Sequence, residues 1–288
     1  MERTPKKPGK FSQGDRLSRL IKNLKELYKC RVLIQNLISR ELKARYRGTI
    51  LGFLWSFINP LLLMSIYTVV FGFIIKPGDR ASGESPWMYA LFLFCGILPW
   101  VWFSSSSLES ANVLMIHGNL IKKILFPAEI LPIVTITSNL IHFSFGLPIL
   151  FIFIPVLGKH FTLYVLFLPV VVFVQYVFTL GFCFLISSLT VHFRDVKDIL
   201  ANWLTFWFFA TPIIYPLTFS SVQKSGLLRT FLNLNPMTHI MGGYQSCLYY
   251  GELIHWKKLG ATFLFSILLF ILGYYVFDRL RDSFPEEV

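Results

Sequence analysis

Charge is scarce in this sequence, and it is unevenly distributed. Only 15% of the 288 residues are Asp, Glu, Lys or Arg, whereas 55% are hydrophobic and 17% are aromatic. The mean hydropathy of +0.60 is well above that of soluble domains of this length. The composition therefore excludes an ordinary soluble domain and indicates a membrane protein.

Six stretches of the chain contain no Asp, Glu, Lys or Arg at all. A helix crosses the bilayer core of about 30 Å with roughly 20 apolar residues, so each stretch is read as one span. We predict an all-α, polytopic fold with a six-helix transmembrane domain over 48–278 and with spans at about 50–75, 86–108, 130–157, 161–190, 199–216 and 259–277.

Cysteine is also scarce. Cys30, Cys95, Cys183 and Cys247 show no paired spacing, so neither a disulfide framework nor a zinc site is predicted.

The first apolar stretch begins only at about residue 50 and no small-residue cleavage site follows it. We therefore interpret this first apolar stretch as a span and not as a cleaved signal peptide.

The excess of positive charge lies before the first span. Residues 1–49 hold fourteen Lys or Arg against four Asp or Glu. Cations that flank a span stay in the cytoplasm, so the N-terminus is predicted inside, and an even number of spans makes residues 279–288 a cytoplasmic tail. No basic groove with interleaved aromatics is predicted outside the membrane, which argues against nucleic acid as a partner.

The N-terminal region divides into a mobile basic tail, 1–16, and an amphipathic interface helix region, 17–47. The helix ends in four cations that are predicted at headgroup level: Arg40, Lys43, Arg45 and Arg47. The alternative for each is a positive-inside anchor without a ligand. Between the fifth and sixth spans, residues 217–258 are too apolar for a free loop and contain Gly and Pro, so short external re-entrant helices are predicted.

The predicted spans offer little for catalysis. His142 is the one ionisable residue at depth, and Asn139 lies one helical step before it. The pair is either functional or an interhelical hydrogen-bonding pair. The other histidines lack metal-ligand spacing, so neither catalytic residues nor a metal site are predicted.

The phosphate-binding pattern G-x-x-x-x-G-K-[ST] is absent, so this chain is not predicted to hydrolyse ATP. Energy for transport would then enter through a partner that docks on short cytoplasmic segments. Residues 115–126 and 191–199 fit this role, and their candidate contact residues are Lys122, Lys123, Phe193, Arg194, Asp195, Lys197 and Asp198. The second segment predicts a helical turn with alternating charges; the alternative is a solvated connector.

Several motifs together resemble the membrane subunit of polysaccharide-exporting ABC transporters of the ABC-2 type. The segments that carry the resemblance are LISRELKARYRGTILGFLWSFINPLLLMSIYTVVFG, GILPWVWFSSSS, HGNLIKKILFPAEILP, VHFRDVKDI and TPIIYP followed by NLNPMT. They occur in the family's order from about Leu33 to the sixth span.

The resemblance implies a homodimer in the bacterial inner membrane, bound to two copies of a separate nucleotide-binding ATPase subunit. ATP and Mg²⁺ would be held by that partner, and this chain would bind no cofactor. The substrate would be a polysaccharide on undecaprenyl diphosphate: O-antigen first, teichoic acid or capsule next. Arg40, Lys43, Arg45 and Arg47 suit the diphosphate, since Arg grips it with parallel hydrogen bonds.

Aromatic rings suit a sliding glycan because sugar rings pack on them without a fixed hydroxyl pattern. The candidate pathway aromatics are Trp55, Phe57, Tyr67, Trp100, Trp102, Phe103, Trp203, Trp207 and Tyr215. Two other hypotheses stay open: a membrane-embedded glycosyl- or acyltransferase that uses His142 or His239, and a permease of the same architecture for drugs or lipids.

Overall fold

The structure is a computed structural model that describes residues 29–70, 86–122, 126–217 and 224–288. Every regular element within these ranges is helical, so the all-α prediction is confirmed. The predicted tail 1–16, residues 17–28 of the interface helix region, residues 71–75 of the first span and Lys123 lie outside the described residues.

The described ranges contain α-helices with these bounds: α1 Arg31–Tyr46, α2 Trp55–Tyr67, α3 Pro86–Ile116, α4 Gly118–Ile121, α5 Ile130–Val156, α6 Leu168–His192, α7 Val196–Phe209, α8 Gly226–Leu234, α9 Pro236–Gln245, α10 Trp256–Leu280 and α11 Phe284–Glu287. Short 3-10 or π-helical turns add Gly52–Leu54, Leu163–Phe167, Ser246–Tyr250 and Arg281–Ser283.

Four helical stretches are long and apolar enough to cross a membrane: Pro86–Ile116, Ile130–Val156, Leu163–His192 and Trp256–Glu287. They match the second, third, fourth and sixth predicted spans. The first and fifth predicted spans contain the shorter helices α2 and α7, of 13 and 14 residues. A 14-residue helix rises only about 21 Å, so the count of six spans stays a prediction.

Helix α3 is the centre of the bundle. Residues 89–100 are all buried, and α3 packs against α5, α6, α7 and α9. The fully buried amide of Gln175 on α6 donates to the Pro99 carbonyl at 2.8 Å. A hydrogen bond of this kind joins neighbouring helices where water is excluded.

Helices α6 and α10 approach each other closely, and two glycines allow this. A Cβ atom added at Gly181 would collide with the backbone of Phe270, and one added at Gly273 would collide with the Gly181 carbonyl. Small residues let two helix backbones approach in this way.

The bundle has two distinct ends. At the C-terminal end, residues 281–288 lie beside α4, the end of α6 and the start of α5. At the distal end, the rings of Phe167 and Trp256 lie 5.1 Å apart, and Lys159 donates to the Tyr249 carbonyl at 2.6 Å.

Candidate functional site

A polar cluster joins α1 to the bundle. Nη2 of Arg45 donates to both carboxylate oxygens of Glu109 at 2.8 Å, and Nη1 donates to Oδ1 of Asn139 at 3.2 Å. The Asn139 amide in turn donates to Glu109 Oε2 at 2.6 Å and to the Thr135 carbonyl at 3.1 Å. The bonds between Arg45 and Glu109 are charge-assisted, because both the donor and the acceptors belong to ionised groups.

This cluster lies inside the length of two candidate spans. Glu109 precedes the end of α3 by seven residues, which corresponds to about 10 Å along the helix. Because α3 ends at Ile116, it continues eight residues beyond Leu108, where the predicted span ended. A charged Glu109 is tolerated within the length of this candidate span because Arg45 forms an ion pair with it.

A cavity of about 260 Å³ adjoins the cluster between α1, α3 and α5. Arg40, Glu41 and His117 bring polar groups to its wall, and Leu37 and Leu131 are among its apolar lining residues. Burial raises the pKa of the Glu41 carboxyl, and the nearby charge of Glu109 raises it further, while Arg45 opposes both. The cavity thus combines a cation with a carboxyl group whose pKa is raised by burial.

The four predicted headgroup cations do not share one environment. Arg45 is paired with Glu109, whereas Arg40, Lys43 and Arg47 are exposed on or just after α1. Within the described part of the chain, none of these three forms an ion pair. Their binding to a diphosphate stays a prediction.

The second predicted docking segment is an exposed turn between α6 and α7. Phe193 is 64% exposed, and Arg194 and Asp195 beside it are exposed too. The Asp195 carbonyl accepts from the backbone of Asp198 at 3.1 Å and of Ile199 at 3.0 Å, so the predicted helical turn is present. Lys197 and Asp198 lie exposed in the first turn of α7, as does Lys122 after α4; whether these side chains dock a partner stays a prediction.

Residues 281–288 connect the two predicted docking segments. Phe284 is fully buried, and its ring lies 5.2 Å from that of Phe277 and 6.4 Å from that of His192. Nε2 of His192 and Oγ of Ser283 are 3.0 Å apart. On the other side, a Cβ atom at Gly118 would lie 3.3 Å from the Val288 side chain, so the segment predicted as a tail is helical and packed.

A second ion pair lies at this end. Nη1 of Arg281 donates to Oε1 of Glu129, whose side chain is only 3% exposed. Asp278 lies 3.7 Å from the same guanidinium nitrogen. A buried carboxylate requires such a partner, and the pair ties the start of α5 to the end of α10.

Three of the predicted pathway aromatics are buried within this chain. Trp100, Trp102 and Phe103 are at most 5% exposed. The indole nitrogen of Trp102 donates to the Ile136 carbonyl at 3.3 Å, and the ring of Phe103 lies 5.4 Å from that of Trp207. Their contacts are internal, and a pathway role for them remains a prediction without structural support.

The other six candidate aromatics are more accessible. Trp203 is 51% exposed on α7. Trp207 is half-buried, and its indole nitrogen donates to Asn235 Oδ1 at 2.9 Å. The remaining half-buried rings are Trp55, Phe57, Tyr67 and Tyr215.

The two histidines of the transferase hypothesis lie on different helices. His142 is on α5, and its ring lies 6.3 Å from that of Phe145. His239 is on α9 at the distal end, where Nε2 donates to the Asn233 carbonyl at 2.8 Å. The predicted interhelical role holds for Asn139, which bonds to Glu109 and Arg45.

Sequence reasoning missed Glu109 and Glu129. Glu109 is the first charge after an uncharged run, a position that also fits a residue just outside a span. A Glu inside the helix differs from a Glu just outside the span by having an Arg that neutralises it. That Arg lies 64 residues earlier in the chain.

Comparison with known proteins fits this architecture. Residues 32–249 match the family described as ABC-2 type transporter. This chain belongs to the ABC-2 type transporter family. The match runs from α1 to the π-helical turn after α9, and so it includes the Arg45 cluster and the Phe193 turn of this ABC-2 chain.

Three relatives of this ABC-2 chain carry descriptive names. It is 37% identical over 269 residues to the O-antigen export system permease protein RfbA of Myxococcus xanthus, covering 93% of this chain and 100% of the relative. It is 28% identical to RfbA of Klebsiella pneumoniae, covering 92% and 96%. It is 22% identical to the polysialic acid transport protein KpsM of Escherichia coli, covering 88% and 95%.

Proposed function

We propose that this chain is the permease subunit of an ATP-driven exporter that moves undecaprenyl-diphosphate-linked polysaccharide from the cytoplasm across the bacterial inner membrane. O-antigen is the first candidate substrate, followed by teichoic acid and capsule polysaccharide. One observation carries the proposal: 37% identity to an O-antigen export permease over 93% of this chain. A shared fold alone would not assign a substrate.

The proposed entry site is the surface of α1. Arg40 and Arg47 are exposed, and Arg binds diphosphates with parallel hydrogen bonds. Arg45 is neutralised by Glu109, so we assign it the task of holding α1 in place while its neighbours contact the carrier headgroup.

The proposed power source is a separate ATPase that binds ATP and Mg²⁺ and docks at the C-terminal end of the bundle. Phe193 supports this role, since 64% of it is exposed next to four charged side chains. An apolar anchor with charges around it suits a protein interface. Both termini would then lie in the cytoplasm.

The proposed pathway lies between two copies of this chain. Helix α7 supports this arrangement because three of its aromatic side chains are exposed: Trp203 at 51%, Phe206 at 55% and Phe209 at 58%. A second copy packed near this face would enclose the rings, where they suit contact with sugar rings.

Co-purification tests the proposal. A nucleotide-binding protein encoded beside this chain should purify with it in equal amount, and undecaprenyl-diphosphate-linked glycan should raise ATP hydrolysis by the complex. The matched control is the same carrier without its glycan. Isolated subunits that concentrate a solute in vesicles on a proton or sodium gradient would overturn the proposal.

A further inference from the structure

A second cavity, of about 390 Å³, lies at the distal end between α8, α9 and the first turn of α10. The proposed transport role makes no use of it. Its wall combines cations, Arg229 and Lys258, with the apolar side chains of Leu217, Ile254 and Leu259. Its volume is within the range of small-ligand sites, and the mixture of charged and apolar wall suits an amphiphilic ligand.

The electrostatics of the cavity favour an anion. Besides Arg229 and Lys258, the wall holds His239 and His255, and Glu252 is the only acid among the described lining residues. Burial lowers the pKa of His239, the hydrogen bond to the Asn233 carbonyl opposes this effect, and the nearby Lys258 and His255 lower the pKa further. The contribution of Lys258 to this shift agrees with the positive charge that the lining residues bring to the cavity.

Asn233 holds two of these groups in place before any ligand arrives. Its backbone carbonyl accepts a hydrogen bond from Nε2 of His239 at 2.8 Å, and its side-chain oxygen accepts one from Nζ of Lys258 at 3.3 Å. Groups that are already ordered lose less entropy when a ligand binds.

Thr238 supplies an independent sign of a missing ligand. It lines the cavity and is only 1% exposed, yet its hydroxyl has no hydrogen-bond partner in the described structure. Buried hydroxyl groups are nearly always hydrogen-bonded, so an orphaned one requires an explanation. An acceptor atom inside the cavity provides that explanation.

The level of the cavity relative to the membrane indicates the kind of amphiphile. Lys258 lies in the first turn of α10, which is one of the candidate membrane spans. Trp256 at the same helix end is 42% exposed, and Trp is typical of the level where lipid headgroups meet water.

We propose that this cavity binds the phosphate group of a membrane lipid, with Arg229 and Lys258 contacting the phosphate and Thr238 donating its hydroxyl group to it. Two sources share this chemistry. One is an anionic phospholipid of the membrane. The other is the isoprenoid phosphate carrier of the exported glycan, and only this source rests on the proposed function.

The test measures lipid binding to the purified full-length chain in detergent by native mass spectrometry. The probes are phosphatidylglycerol, undecaprenyl phosphate, diacylglycerol, which lacks the phosphate, and inorganic phosphate, which lacks the tail. We expect at least one lipid phosphate to bind more tightly than both diacylglycerol and inorganic phosphate. Binding by phosphatidylglycerol identifies the phospholipid source, and binding by undecaprenyl phosphate alone identifies the carrier.

Variants connect the binding to the cavity. Arg229→Gln with Lys258→Gln should weaken the affinity by about tenfold to a hundredfold, which is the range expected for lost charge-assisted hydrogen bonds. Lys257→Gln is the matched control, since Lys257 is the exposed neighbour and does not line the cavity. The affinity of this variant for the lipid phosphate should stay within about twofold of that of the wild type, because an exposed charge outside the cavity contributes little.

The Thr238→Val variant distinguishes a loss of lipid binding from a loss of folding. The hydroxyl has no partner to lose in the free protein, so this variant should unfold at the same or a higher temperature while it binds the lipid phosphate less tightly. Equal binding of diacylglycerol or of inorganic phosphate would overturn the proposal, as would an unchanged affinity in the double variant. Because this assay contains no ATPase, its failure is distinct from a failure of the export function.

Discussion

Arg45 and Glu109 form an ion pair in which one guanidinium nitrogen lies 2.8 Å from both carboxylate oxygens. The pair joins α1 to α3, and Asn139 extends it to α5. Three helices from different parts of the chain therefore meet at one hydrogen-bonded cluster. The cluster thereby connects α1, with its exposed cations, to the bundle.

A double-mutant cycle at this pair should show energetic coupling. Arg45→Gln and Glu109→Gln should each destabilise the protein, and the double variant should be less destabilised than the sum of the two. The side chains are 32% and 37% exposed, so we expect a coupling energy of about 1 kcal/mol, within the range for residues in contact. Thermal unfolding in detergent measures it.

The control for this cycle is Lys43→Gln, which removes an exposed cation of α1 that has no ion pair among the described residues. It should combine additively with Glu109→Gln. Additivity of Arg45→Gln with Glu109→Gln would show that the pair does not stabilise the fold.

Glu41 should make stability depend on pH. Burial and the charge of Glu109 raise the pKa of its carboxyl in the folded protein, so the folded state holds the proton more tightly than the unfolded state. The unfolding free energy therefore falls as the pH rises from the ordinary value of a Glu carboxyl through this raised value.

Thermal unfolding from mildly acidic to neutral pH tests this sign. Glu41→Gln should remove that part of the decrease and be more stable than the wild type at neutral pH. Glu286→Gln, at an exposed carboxyl of α11, should leave the profile unchanged. A profile for Glu41→Gln that parallels the wild type would contradict the prediction.

Asp195 and Arg194 should matter for coupling and not for membrane insertion. Because they are exposed beside Phe193, Asp195→Ala or Arg194→Ala should leave the fold intact and reduce ATP-dependent export by about tenfold or more, as for loss of an interface hot spot. Export from vesicles and ATP hydrolysis are measured together. Arg279→Ala is the control, an exposed cation in the last turn of α10, and wild-type export in both test variants would sink the docking assignment.

The sequence predicted what depends on local pattern. Uncharged runs predicted the four long apolar helical stretches, and the alternation of charge around Asp195 predicted the exposed turn. It did not predict the extent of α3, because the charge of Glu109 is neutralised by Arg45 from another part of the chain. Nor did it separate Trp100, which is buried, from Trp203, which is exposed, since residues that face lipid and residues that face the core are equally apolar.

Phe284 should hold the two predicted docking segments in a common position. The ring is fully buried between Phe277 and His192, and truncation of a buried Phe costs about 3 kcal/mol or more. In Phe284→Ala, residues 281–288 should detach from Gly118 and His192. Hydrogen exchange should then become faster at residues 115–122 and 191–199.

The distal end supplies an internal reference for this experiment, because Phe167 and Trp256 lie far from the substitution, and exchange there should be unchanged. Glu287→Gln, at an exposed position of the same short helix, should exchange like the wild type, and Phe284→Leu should recover most of the protection because it restores apolar volume. If only one of the two docking segments lost protection in Phe284→Ala, residues 281–288 would support that segment alone and would not link the pair.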